Sequence, residues 1–234
     1  MQRLGYVLFY NYLEVLMDKS IKQQVKDLLE RRDDIRLLEL CDNDRHFWRE
    51  LQFCLYDIDE RIRWPAIEVV AKFMQRWWQI IERKEKVRVY IRNLFWSIKD
   101  ESGGIGWSSS QTIAEIIVNI PELLDPYGSM MLAHAFEEPP LIKGGLWGIG
   151  RLGKRITEAV DFFQAKVLAA FRIDDAETLC LAAWAMGEAG FKPSLPYIEK
   201  LSGRKEHGRI YIKGDFHEKS LGEWAKEAIV KINK

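Results

Sequence analysis

Two stretches of the chain align without a gap: Gly145-Leu146-Trp147-Gly148-Ile149-Gly150-Arg151-Leu152-Gly153 and Ala182-Ala183-Trp184-Ala185-Met186-Gly187-Glu188-Ala189-Gly190. Each has a small residue, Trp two positions on, Gly five positions on and a second Gly eight positions on. Related small-apolar starts occur at Ala66 and Ser109, so the four starting positions are 43, 36 and 37 residues apart. A unit of that length cannot bury its apolar face alone, and stacked neighbours build the core between them. The period therefore predicts an all-α fold, an α-α superhelix of about four helix pairs.

The pattern between these anchors supplies the helices. Ile21 to Leu29, Asp34 to Leu40 and Arg45 to Tyr56 read as helices with charged outer faces, and Phe47, Leu51, Cys54 and Leu55 recur at helical spacing. Asp57, Asp59 and Glu60 precede an apolar run, as suits the partial positive charge of a helix start, and Pro65 is expected in its first turn. Further helices are expected over 87–98, 107–120, 128–137, 141–152, 157–171 and 176–189. One of Ser108, Ser109 and Ser110 would cap the second of these, and Gly153 and Gly190 stand where left-handed C-terminal caps belong.

The tail changes period. Arg209 to Lys213 alternates, Gly214-Asp215 turns, Phe216 to Ser220 returns, and a helix over 221–232 ends the chain. A hairpin plus helix would close the last repeat's apolar face. The expected organisation is an N-terminal helical cap (1–44), repeats (45–200) and a C-terminal hairpin-helix cap (201–234).

Bulk chemistry limits the partners. Of 234 residues, 35 are Lys or Arg and 35 are Asp or Glu, so no global field steers the chain toward nucleic acid. Nucleic acid is thereby disfavoured, although Arg83-Lys84-Glu85-Lys86-Val87-Arg88 and Lys154-Arg155 are local basic runs. Cys41, Cys54 and Cys180 form no CxxC pair, which argues for reduced thiols in a cytoplasmic protein. The apolar run from Leu4 to Met17 is shorter than a bilayer requires and carries Glu14, so no membrane span is expected. His46, His134, His207 and His217 are scattered, so neither a metal site nor a cofactor is expected.

In short pattern, Leu146 to Gly153, Ala183 to Gly190 and the Asp57-Ile58-Asp59 turn resemble the HEAT-like repeats of bacteria and archaea first named for phycobilisome lyases. The similarity spans about residues 45 to 200, and the run from Asn93 to Trp107 is similar to one in an uncharacterised subgroup of these proteins. The resemblance implies an α-α superhelix that usually binds protein. It carries no catalytic residue across.

Two features are candidates for a site. Asp100, Glu101, Gly103, Gly104, Gly106 and Trp107 form a Gly-rich junction before a helix, where backbone N–H groups can hold an anion; a tight turn is the plainer reading. Trp64, Trp107, Trp147 and Trp184 keep step with the repeat, with offsets differing by one helical turn. Facing the concave groove they would form an aromatic ladder; facing the outer helices they would be core. With Arg151 beside Trp147, the expectation is a non-enzymatic scaffold or assembly factor that holds a protein or peptide in a Trp-lined groove. The alternative is a HEAT-like DNA glycosylase acting on alkylated bases through Trp96, Asp100 and Arg151.

Overall fold

A computed structural model describes residues 20–98 and 106–234. Compactness divides the chain between Val70 and Ala71, inside one helix, and each part is considered by itself.

The first part holds α1 (Ile21–Glu30), α2 (Asp34–Asn43), α3 (Arg45–Cys54) and the start of α4 (Glu60–Trp78). Polar side chains begin the first three. Ser20 Oγ accepts from the Gln23 N–H at 3.3 Å, Asp33 from that of Arg36 at 3.2 Å, and Asp44 from that of His46 at 2.8 Å. Val25, Leu28 and Leu29 of α1 meet Leu37, Leu38 and Cys41 of α2 and Phe47, Leu51 and Cys54 of α3 in one buried cluster. Burial pushes the thiols of Cys41 and Cys54 up to about 12, so both stay protonated.

Pro65 lies inside α4 rather than in its first turn. The acidic turn before it explains the difference. Asp59 Oδ1 accepts from the Arg61 N–H at 2.9 Å and its carbonyl from Ile62 and Arg63, so the helix starts at Glu60. Pro65 then withholds one early backbone hydrogen bond, which a helix start tolerates better than its middle.

The second part continues α4 into α5 (Lys84–Ile98), α6 (Ser109–Asn119), α7 (Leu124–Ala135) and α8 (Ile142–Leu152). Then follow α9 (Thr157–Phe162), α10 (Gln164–Ala169), α11 (Ala176–Ala189), α12 (Leu195–Glu199), β1 (His207–Ile212), β2 (Asp215–Ser220) and α13 (Leu221–Ile232). Four helices form a row: α6 packs on α8, α8 on α11 and α11 on α13. Behind them α7 packs on α6 and α8, α9 on α7, and α12 on α13. This is an α solenoid with a small antiparallel sheet near its C-terminal end.

Local departures have physical causes. The stretch 157–171 is two short helices, because Phe163 leaves helical geometry (φ −95°, ψ 17°). Val160 and Val167 are its buried side chains within α9 and α10, too few inward contacts to hold one long helix. Asp125 is extended (φ −101°, ψ 125°) ahead of a cis Pro126, so the regular part of α7 begins there. Gly190 adopts the left-handed conformation (φ 65°, ψ 31°), whereas Gly153 has positive φ with ψ −141° and so is not a left-handed cap. Ser108 occupies the N-cap position of α6 without a side-chain cap bond, and Ser109 Oγ instead meets Ser97 Oγ at 2.9 Å.

The hairpin turns at Lys213 and Gly214, both with positive φ (51° and 99°), the geometry that matches strand twist in a two-residue loop. Its register pairs Ile210 with His217 and Tyr211 with Phe216. β1 lies against α11, where Gly208 leaves room for Cys180: a Cβ there would stand 2.7 Å from the sulfur. Two indoles fasten it, Trp224 donating to the Gly208 carbonyl at 3.1 Å and Trp147 to that of Tyr211 at 2.7 Å.

Candidate functional site

The repeat tryptophans separate into two groups. Trp64, Trp147 and Trp184 are buried, whereas Trp107 is 58% exposed. The open aromatic ladder is therefore not formed. For Trp184 the reason lies in the repeat's own glycines: a Cβ on Gly150 would collide with its six-membered ring, so α8 has made room for the indole. Its N–H reaches Glu188 at 3.1 Å. Trp147 is spent on the hairpin.

Arg151 is likewise engaged. Its guanidinium donates twice to Glu115, Nε to Oε2 at 2.7 Å and Nη2 to Oε1 at 2.9 Å, which joins α8 to α6. Glu115 is buried, so this fork is an internal fastening. Lys143 of α8 meets Glu177 at 2.5 Å and Asp175 at 3.0 Å, and Lys231 of α13 meets Glu188 at 2.5 Å. Glu115, Arg151 and Glu188 each stand six residues after a repeat start. The sequence carried that alternation of sign, and the reading by tryptophans and glycines passed over it.

At the α5–α6 junction, Asp100, Glu101, Gly103 and Gly104 lie outside the described residues. Gly106 is described and buried. Its N–H donates to the Ser97 carbonyl at 3.0 Å, and its own carbonyl accepts from the Ser109 N–H at 2.9 Å. A Cβ at Gly106 would collide with the hydroxyls of Ser97 and Ser109. Gly106 thus stitches the two helices, and Trp107 beside it turns to solvent.

Sequence reasoning underrated the outer face of α5. Trp96 is 77% exposed, the most exposed tryptophan among the described residues. With Arg92, Phe95, Met130 and His134 it lines a cleft of about 350 Å³. Phe95 forms a firm floor, its ring 6.3 Å from Tyr127 and 5.2 Å from His134. At the other end of α5, cations cover two indoles: Arg83 (5.2 Å) and Lys86 (6.0 Å) over Trp77, Lys84 (4.9 Å) and Arg88 (5.0 Å) over Trp78. The basic run is thus built onto an aromatic base. A second hollow of about 440 Å³ between α7 and α9, bordered by Arg155 and Phe162, holds none of the expected site residues.

Among the described residues no three His, Cys, Asp or Glu side chains gather as metal ligands, and no helix is long and apolar enough to cross a membrane.

These features define the chain as an armadillo-type α solenoid. A designed armadillo repeat protein in complex with the peptide (KR)4 superposes with a TM-score of 0.57 at 14% identity, covering 91% of each chain. A second designed armadillo repeat protein gives 0.52 at 14% identity, over 91% of this chain and 93% of that one. In sequence the chain is similar to an uncharacterized protein of Archaeoglobus fulgidus, 29% identical over 140 residues, which is 58% of this chain and 70% of that protein. No family profile matches.

Proposed function

We propose that this chain is a non-enzymatic scaffold that binds a polypeptide partner at the α5–α6 junction. One observation carries the reading: the fold consumes Trp64, Trp147 and Trp184 in packing yet leaves Trp96 and Trp107 in solvent. Large exposed aromatic rings at neighbouring helix ends are the usual anchors of protein recognition, because they bury much area at little conformational cost. A designed protein of the same fold class holds a peptide, which supports a polypeptide as the ligand. The glycosylase reading draws no such support: of the residues named for it, Arg151 is engaged by Glu115 and Asp100 lies outside the described residues.

The test is capture from lysate of the source organism by the immobilised chain, in parallel with a Trp96→Ala/Trp107→Ala variant. A polypeptide retained by the parent and lost by the variant, at unchanged helical melting, is the expected result. Equal retention by both would overturn the site, and excision of alkylated bases by the parent would overturn the function.

A further inference from the structure

The outer face of α5 has a direction. Lys84, Arg88, Arg92 and Trp96 follow one another at intervals of four residues, so they form one slowly drifting stripe along the helix. The stripe is about 18 Å long at 1.5 Å per residue. That length matches about five or six residues of extended chain. One end is cationic and the other is the apolar cleft at Trp96.

The charge on the stripe is only partly cancelled: Glu122 accepts at 3.3 Å from the N–H of Trp78, the indole under Lys84 and Arg88, and Glu137 stands 3.9 Å from His134. Between Glu82 and Arg92 stand five cations and two carboxylates. Glu85 is shared by Arg92 (2.7 Å) and Arg88 (3.4 Å), one acid for two guanidiniums. Arg83, Lys84 and Lys86 sit over indole faces, which orient a cation and leave its charge in place. Exposed Ile81 and Val89 add apolar surface beside them. The cleft is within the range that holds a small ligand or a large side chain, and its lining is mainly aromatic and thioether.

The geometry points to an acidic peptide segment with one large apolar side chain as the occupant, the apolar side chain in the Trp96 cleft and the carboxylates along Arg92, Arg88 and Lys84. This rests on the reading of the chain as a polypeptide-binding scaffold and names the chemistry of its partner. An oligonucleotide is the poorer fit. The basic stripe is short and ends on an apolar cleft, while the chain as a whole is neutral and lacks the broad field that phosphate binding draws on.

The experiment is fluorescence anisotropy on the full chain with four labelled probes. These are a Glu/Asp-rich peptide with one Trp, the same peptide with Ala in its place, the peptide (KR)4, and a single-stranded oligonucleotide. The acidic Trp-bearing peptide is expected to bind best and to weaken as salt is raised. Trp96→Ala, an exposed position, is expected to weaken it at least about tenfold, the usual effect of losing one anchor. Lys84→Glu and Lys86→Glu, each checked for an unchanged thermal melt, are expected to weaken it about threefold or more. If the acidic peptide binds with the same affinity after Trp96→Ala, or with its own Trp removed, the inference is overturned. Preference for (KR)4 would overturn it while leaving the scaffold reading standing. Preference for the oligonucleotide, abolished by Lys84→Glu, would overturn both.

Discussion

Trp184 on α11 and Trp96 on α5 are the same residue type on helices of one solenoid, and the chain uses them in opposite ways. Around Trp184 everything has been fitted: Gly150 makes room for the ring, Glu188 accepts its N–H, and the neighbouring helices are held by forked or short ion pairs. Around Trp96 the described residues leave the indole 77% exposed, and the cations nearby share carboxylates or rest on other rings. The inner row closes its indoles and its forked ion pair upon itself, while the outer face of α5 leaves such groups available. The recognition proposed for this chain would therefore fall where the repeat pattern is least complete.

That contrast can be broken most directly at Trp184. Trp184→Ala removes a buried indole and is expected to cost about 3–5 kcal/mol of stability, read from denaturant unfolding. A loss below about 1 kcal/mol would put the indole outside the core. Next, Glu115→Ala leaves the Arg151 guanidinium without its forked acceptor in a half-buried setting. A cost of about 2 kcal/mol is expected, with Arg151→Met at least as costly as Glu115→Ala because it strands the more deeply buried carboxylate of Glu115.

A smaller effect is expected at the start of α11. Asp175 accepts from the Thr178 hydroxyl at 2.6 Å and its N–H at 3.0 Å, and Asp175→Ala should cost about 1 kcal/mol. The Thr178 hydroxyl, against the opposing pull of burial and with help from Lys143, holds the Asp175 carboxyl below its ordinary value. The cap's contribution is therefore present above the unfolded-state pKa of about 4 and is lost as pH falls through the lower folded value. Melting curves of parent and D175A should converge in acid. Smallest of all, Trp96→Ala should change stability by no more than about 0.5 kcal/mol while weakening the partner. Destabilisation comparable to that at Trp184 would erase the distinction between the two regions.

Much of the architecture was legible because periodicity reports burial. The starts at 109, 145 and 182 became α6, α8 and α11, the Leu221 helix has its expected bounds, and the hairpin lies where the alternation changed. What periodicity could not report was which way a ring faces. Trp147 and Trp184 share a repeat position with small residues around them, and whether such a ring lines a groove depends on what the adjoining repeat supplies: here a glycine on α8 and a carbonyl from a strand 64 residues away. Trp96 gave no signal in the repeat alignment, since it lies between repeat starts, and its exposure became visible only with Met130 and His134 of α7 beside it. Four residues of the expected Gly-rich site fall outside the described chain, and Gly106 acts there as a stitch between helices.

The ion pairs of the inner row give its helices an alternation of sign with a consequence for added units. Glu115, Arg151, Glu188 and Lys231 alternate in sign along α6, α8, α11 and α13, and the pairs join α6 to α8 and α11 to α13. Duplicating the α8 unit once would set arginine against arginine in a half-buried position. Duplicating α8 and α11 together would preserve the alternation. A solenoid keyed in this way would keep its alternation of charge only when units are added or removed in pairs.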